Sequence, residues 1–401
     1  MPDLLPLAAA QARLLALTTP LAEEVAPLVD ALDRWAARDV LATRTQPATD
    51  LSAMDGYAIR FADLPGPWRV VGESAAGSVS VPAVGAAEAV RIFTGAPLPP
   101  GADTILVQED ARREPAADGG DRLVLSGDGP PRKGAHVRPA GGDFTAGAML
   151  IRTGTRIGPA QIALAATGGH GALTVRRRPR IALISTGDEL VPAGEPVDGV
   201  RLPSSNAPML HAMLAAGGAA VVADHGIVRD DLDATIAAFD RARDADVIVT
   251  TGGASVGDRD YVRPALEAAG AAIDFWRIAL KPGKPLMAGR LGNAIVLGLP
   301  GNPVSAFVTA RLFLLPLVRQ LGGAARPLDR PRAMRLAGSL PATGKRMELL
   351  RGRRVGARVR PLGQQDSAAL TALSTADILI VRPPFSRPAA DGEPVKVLPV
   401  A

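Results

Sequence analysis

From residue 178 to residue 325 the chain alternates between two kinds of apolar pattern, and this constrains the fold more than any other feature. "RIALIST" is a short continuous apolar run, and "NAPMLHAMLAAGG" after it repeats at helical spacing. The exchange recurs in "AAVVAD" and "DDLDATIAAFDRARD", then in "DVIVTT" and "RDYVRPALEAAG". "IDFWRIA", "PLMAG" and "AIVLGLP" add strands, and "PVSAFVTARLFLLPLVRQL" closes the series as a helix. Short strands that are apolar throughout need cover on both faces, and the intervening helices supply it. The pattern predicts an α/β domain with a mainly parallel sheet.

The remaining residues must form other bodies. The chain has 401 residues, beyond the roughly 250–300 at which one core stops growing. Residues 1–45 and 146–177 read as helical and are expected to form one linker domain. Residues 46–145 carry short β-like runs such as "WRVV" and "DTILVQ" between Gly, Pro and Asp, and predict a β-rich inserted domain. Residues 178–326 are the α/β domain. Residues 327–401 return to β-like runs with Pro and Gly turns, a small C-terminal β domain or barrel.

Charge and composition exclude several functions. The net charge of +5 is scattered, and aromatics are 3% of residues, so neither a phosphate-tracking patch nor a base-stacking platform is expected. The chain has no cysteine, which removes disulfides, thiolate metal sites and a cysteine nucleophile, and fits a reducing cytoplasm. "MPDLLPLAAAQARLLAL" lacks the basic start of a signal peptide, and no run reads as a membrane span. The four histidines are dispersed, and GxSxG, Walker A and HExxH patterns are absent.

Ligands bind at the carboxyl ends of strands in an open parallel sheet, so the residues after each strand carry the functional information. They are "STGDEL", "TTGGASVGDRDY" and "GLPGNPVS". Gly252 and Gly253 let the backbone turn sharply and let a ligand approach without a Cβ in the way. Asp258 reads as a helix cap. Asp260 reads either as a first-turn acid complementing the helix dipole or as a functional carboxylate. One of Asp230 and Asp231 is expected to cap the next helix. In "LKPGKP" the prolines stiffen a loop that carries Lys281 and Lys284, compact cations suited to an oxyanion. Any metal would be a hard ion on oxygen ligands, such as Mg²⁺.

Taken in order, "SAMDGYA", "RIFTGAPLPPGAD", "STGDELV", "SSN", "GIVRDD", "TTGGASVGDRDY", "ALKPGKP" and "GLPGNPVSA" resemble the molybdopterin molybdenumtransferase family, the bacterial MoeA type found also as the E domain of gephyrin. The resemblance implies a four-domain subunit with a MogA-like α/β domain and a C-terminal small β-barrel. It implies insertion of molybdate into adenylylated molybdopterin with release of AMP, assisted by Mg²⁺. It also implies a cytoplasmic homodimer whose active cleft is shared between subunits, with contacts to a molybdopterin adenylyltransferase and to apo-molybdoenzymes, and with neither nucleic acid nor membrane as partner.

Carried over motif by motif, Asp55, Thr94, Asp143 and Glu189 would be catalytic, and Asp230 and Asp260 would hold the metal. Gly252, Gly253, Ser255, Lys281, Lys284, Pro300, Pro303 and Ser305 would bind substrate. Arg351 and Ser367 would join them from the last domain, where Arg346 is a further candidate and Leu349 replaces a usual aromatic. The alternatives are a nucleotide-processing hydrolase of the competence-damage type and a non-enzymatic scaffold. The first would lack "SAMDGYA", and the second adds a fused domain.

Overall fold

The computed structural model describes residues 4–115, 121–215, 220–253 and 260–400. They form two compact units. One takes residues from 1–38, 152–159 and 172–401, the other residues from 39–151 and 160–171.

The first unit contains the expected α/β sheet. Its strands are β1 (Arg180–Thr186), β2 (Val221–Val228), β3 (Val247–Thr251), β4 (Ala272–Trp276), β5 (Met287–Leu291) and β6 (Ala294–Leu299). They lie in the order β2-β1-β3-β6-β5-β4. The first four run parallel, and β5 is antiparallel to both β6 and β4. The helices are α1 (Asn206–Ala215), α2 (Leu232–Arg241), α3 (Val262–Ala268) and α4 (Pro303–Thr309). Alternate strand residues point to opposite faces. Ile181, Leu183, Val247, Val249 and Leu297 therefore pack with Leu210 and Leu214 of α1 and with Val304 and Val308 of α4. Ala182, Ile184, Ile248 and Val296 pack with Phe239 of α2 and Leu266 of α3. Both faces are covered, and this is why the strands read as continuous apolar runs.

The run Pro303–Leu321, α4 continued through a π-helical turn at Ala310–Leu314, is long and apolar enough to cross a bilayer. It is the run expected from the sequence to close the α/β series as a helix, and it was not expected to have the length and hydropathy of a membrane span. Its window is 83% buried within the protein, as expected of a core helix.

Strands Arg332–Leu336, Met347–Val355, Arg358–Pro361, Ile378–Arg382 and Pro394–Pro399 form the C-terminal sheet. Met347–Val355 pairs with both Arg358–Pro361 and Ile378–Arg382, which closes the sheet into a small barrel. Leu349, Leu379 and Leu398 join the core that lies under α1 and α4, so barrel and α/β sheet share one interior. The "LKPGKP" loop also reaches the barrel, where Leu280–Lys281 pairs in parallel with Met347–Glu348.

Among the described residues of 1–45, the α-helical expectation holds only for Leu7–Ala16. Glu23–Pro27 is instead a strand paired antiparallel with Ala172–Arg176, and Leu28–Ala31 is a short 3-10 turn. Pro27 is the reason: it lacks an N–H and clashes with the preceding turn, so a helical hydrophobic period cannot continue through it. Residues 146–177 likewise hold one helix, Pro159–Thr167, and then that strand. The division between the two units falls inside the two segments expected to form one linker domain.

Asp246, at the start of β3, fixes the entry into this sheet. It accepts from both ends of the Arg177 guanidinium at 2.6 and 2.7 Å and from the Arg180 N–H at 2.7 Å. Burial works to raise its pKa, but the Arg177 hydrogen bonds, the Arg180 N–H and the two positive charges outweigh burial and leave it lowered. A lowered carboxylate stabilises the fold above its unfolded pKa, and that stability is lost as pH falls through the folded value. Asp246→Asn should therefore cost about 2 kcal/mol at neutral pH and flatten the acid limb. Thermal melts across the acidic range would show the variant and parent converging; parallel curves would remove Asp246 from acid stability.

The second unit contains a six-stranded sheet in the order Thr104–Val107, Gly56–Ile59, Glu88–Ile92, Trp68–Ser74, Asp121–Leu125, Ala111–Pro115. Trp68, Ile59, Leu106 and Leu123 form one buried cluster and Ile92, Ile105 and Val90 another. The β-rich expectation for this region holds.

Candidate active site

β1, β3 and β6 are neighbours in the sheet and end at Thr186, Thr251 and Leu299. The Gly-rich segments after them converge on a cleft of about 590 Å³. Thr186, Glu189, Ser204, Ser205, Asn206, Thr251, Gly252, Gly253, Pro300, Gly301, Asn302 and Pro303 line it, and Ala368 reaches it from the barrel. Gly252 has φ +89°, and a Cβ there would stand 2.4 Å from the Thr186 carbonyl oxygen. Gly253 has φ +58°, and its Cβ would stand 2.4 Å from Val262 Cγ2. Glycine is thus favoured at both positions, by backbone sign and by crowding against the end of β1 at Gly252 and against α3 at Gly253.

Polar contacts fix the cleft walls. Asn206 Nδ2 donates to the Gly301 carbonyl at 2.7 Å and ties the start of α1 to the "LPGNP" turn. Asn302 Nδ2 donates to Ser367 Oγ at 3.1 Å, and the Val304 N–H donates to the Ser367 carbonyl at 3.1 Å. The sequence reading gave no role to Asn206 or Asn302, although both stand in motifs it quoted, "SSN" and "LPGNP". For Asn302 the neighbouring Gly301 turn was the available signal, whereas nothing local marked Asn206.

Asp231 is the cap of α2, accepting from the Ala234 N–H at 2.8 Å. This leaves Asp230 for another purpose. Its carboxylate accepts from the Asp188 N–H at 3.4 Å, and the Asp188 carboxylate accepts from the Asp230 N–H at 3.2 Å. Two acids are therefore held side by side at the ends of β1 and β2. The first turn of α3 contains no acid, so Asp260 stands ahead of that helix and not within its first turn. Ser255 and Asp258 lie outside the described residues.

Lys281 Nζ is 3.2 Å from Glu348 Oε1 of the barrel, and both lysines are exposed. Neither lines the cleft, although Pro285 does. Pro300 and Pro303 line it, whereas Ser305 is buried inside α4. Arg351 is 0% exposed. Its Nη2 donates to the Gln364 and Asp366 carbonyls, at 3.1 and 2.9 Å, and burial lowers its pKa.

In the second unit, Asp55 and Thr94 are brought together. Asp55 Oδ1 accepts from the Thr94 N–H at 2.7 Å and from Thr94 Oγ1 at 2.9 Å. These two bonds, led by the backbone N–H, lower the Asp55 pKa. Thr94→Val removes the hydroxyl donor and should let Asp55 move back up toward the ordinary carboxylate range. A carbon-13 carboxyl titration reads this directly; an unmoved midpoint would show that the backbone donor suffices. Asp143 is exposed elsewhere in the same unit, in a depression with Gln46, Arg138 and Pro139. Among the described residues, no group of three His, Cys, Asp or Glu side chains could hold a metal ion.

Family models match almost the whole chain. They are the MoeA N-terminal region (domain I and II) over residues 5–169, the probable molybdopterin binding domain over 182–320, and the MoeA C-terminal region (domain IV) over 333–400. A molybdopterin molybdenumtransferase of Nostoc is 37% identical over 312 residues, covering 74% of this chain and 70% of the relative. The chain belongs to the molybdopterin molybdenumtransferase (MoeA) family. The Bacillus subtilis member is 31% identical over 389 residues, covering 92% and 88% of the two chains. A crystal structure of a molybdopterin biosynthesis MoeA protein from Pyrococcus horikoshii has a TM-score of 0.80 at 28% identity, with 100% of both chains covered. Another crystal structure of a molybdopterin biosynthesis MoeA protein, from Pyrococcus horikoshii OT3, has a TM-score of 0.83 at 25% identity, with 98% of this chain and 99% of that chain covered. The strand-end cleft lies wholly within the MoeA family's probable molybdopterin binding domain, apart from Ala368 in domain IV.

Proposed function

We propose that this chain is a molybdopterin molybdenumtransferase that inserts molybdate into adenylylated molybdopterin and releases AMP. The observation that carries the reading is the cleft at the ends of β1, β3 and β6, where Gly252, Gly253 and Gly301 expose backbone in a domain of molybdopterin-binding type. Backbone N–H groups without neighbouring side chains suit phosphate oxygens, and the cleft is large enough for a pterin.

Asp230 and Asp260 would hold Mg²⁺, with Asp188 beside Asp230. One or two carboxylates plus substrate phosphates suffice for this ion, so the absence of a three-ligand group among the described residues does not oppose it. The ion would supply charge neutralisation as the phosphoanhydride is cleaved. Lys284 and Lys281 would attract the oxyanion, Lys281 after release from Glu348. Glu189, Pro300, Pro303 and Ser367 would shape the cleft. Asp55, oriented by Thr94, would act from the partner subunit of a homodimer, and Asp143 would serve near it. The reading keeps the four-domain subunit, the cytoplasmic setting and contacts with the adenylyltransferase that precedes this step and with apo-molybdoenzymes.

The test is to incubate the purified protein with adenylylated molybdopterin, Mg²⁺ and molybdate, and to follow AMP and cofactor together. Stoichiometric appearance of both supports the reading. Binding without AMP release would leave a carrier and exclude the transferase.

A further inference from the structure

The barrel loop 362–369 forms part of the cleft wall, and what holds it there is unusual. Gln365 uses its amide as a strand would use its backbone. Its Oε1 accepts from the Arg351 N–H at 2.9 Å, while its Nε2 donates to the Arg351 carbonyl at 2.9 Å and to the Leu362 carbonyl at 2.7 Å. The Arg351 guanidinium then grips the same loop through the Gln364 and Asp366 carbonyls. The next two residues are Ser367, which bonds Asn302 and Val304, and Ala368, which lines the cleft.

Arg351 is a poor choice for stability alone. It is fully buried, it forms no ion pair among the described residues, and its Nε and Nη1 lack hydrogen-bond partners. A buried cation that donates only to carbonyls, and whose burial the nearby Asp366 charge does not offset, costs more than an apolar side chain of similar volume. Retaining such a group makes sense where it places something else.

We propose that Gln365 and Arg351 are positioning residues, which hold the 362–369 loop as one wall of the cleft without touching substrate. The proposal rests on the cleft being the pterin site. It separates Arg351 from the substrate contact implied by the family resemblance and gives that contact to Ser367 and its neighbours.

The chain has no cysteine, so spin labels can be placed without background on Ser205→Cys and Ala368→Cys, both of which line the cleft. Double electron–electron resonance should give one narrow distance distribution in the parent and a broad one after Gln365→Ala. Without the labels, Gln365→Ala should raise KM for adenylylated molybdopterin about tenfold, through loss of hydrogen bonds that preorganise the wall, with kcat within about twofold. Gln365→Glu, which keeps the acceptor for the Arg351 N–H, should recover part of the loss. Arg351→Met should raise KM while leaving the melting temperature unchanged or higher, a split that a merely structural arginine would not give.

An unchanged distance distribution in Gln365→Ala overturns the proposal, as does a broadened one with unchanged KM. If the parent itself ignores the pterin, the functional reading fails. The positioning of the loop would then still be decided by the resonance measurement, and the role in substrate binding would fall with the reading.

Discussion

Gly252→Ala is expected to weaken binding of adenylylated molybdopterin at least 100-fold, about 2.8 kcal/mol, and to lower the melting temperature. Two effects act together. The backbone at Gly252 has φ +89°, a region that costs a residue with a Cβ about 1–2 kcal/mol. The new Cβ would also press on the Thr186 carbonyl from 2.4 Å, a backbone atom at the end of the adjacent strand that cannot swing away. Relief requires β1 and β3 to part at the point where the cleft lies. Gly270→Ala is the control: its φ is +81°, and nothing lies within 4 Å of its Cβ position. It should reproduce the cost of positive φ and leave pterin binding unchanged. Equal affinity in Gly252→Ala and the parent, by fluorescence titration, would mean that the pterin binds elsewhere.

Asp260→Asn should reduce AMP release by about 100-fold or more, since a metal ion's charge stabilisation in the transition state amounts to several kcal/mol. The substitution is isosteric, so the melting temperature should stay close to the parent's, and the Mg²⁺ concentration needed for half-maximal rate should rise. Asp231→Asn serves as the comparison, because asparagine caps a helix as well as aspartate does, and Asp231 is the residue that caps α2. AMP release at the parent rate in Asp260→Asn would take this carboxylate out of the mechanism and leave Asp188 and Asp230 as the acids to test. The two predictions separate binding from chemistry: Gly252 acts on the first, Asp260 on the second.

The α/β sheet was legible because its strands are buried on both faces, so a continuous apolar run followed by a helical period has one reading. The N-terminal segment was misread for a complementary reason. In "PLAEEVAPLVDALDRWAARD" the helical spacing is real, but one proline overrides it, and its strand partner Ala172–Arg176 lies more than a hundred residues away. A period read locally carries no information about such a partner.

The candidate site divides in the same way. Residue types and their order identified the strand-end glycines, the "LPGNP" prolines and the acids of "GIVRDD", because each has a local reason to be where it is. Which of two adjacent aspartates caps a helix turns on where the helix begins, whereas the pairing of Lys281 with Glu348 and the turning of Arg351 toward its own loop are matters of contacts distant in sequence. By itself the sequence determined the sheet, the chemical character of its strand ends and the family. Only the tertiary structure decided that Asp55 and Thr94 are one unit and that Gln365 closes on Arg351. The physical reason is range: backbone propensity, burial period and turn chemistry act over a few residues, whereas a hydrogen bond to a buried carbonyl exists only once the whole core has packed around it.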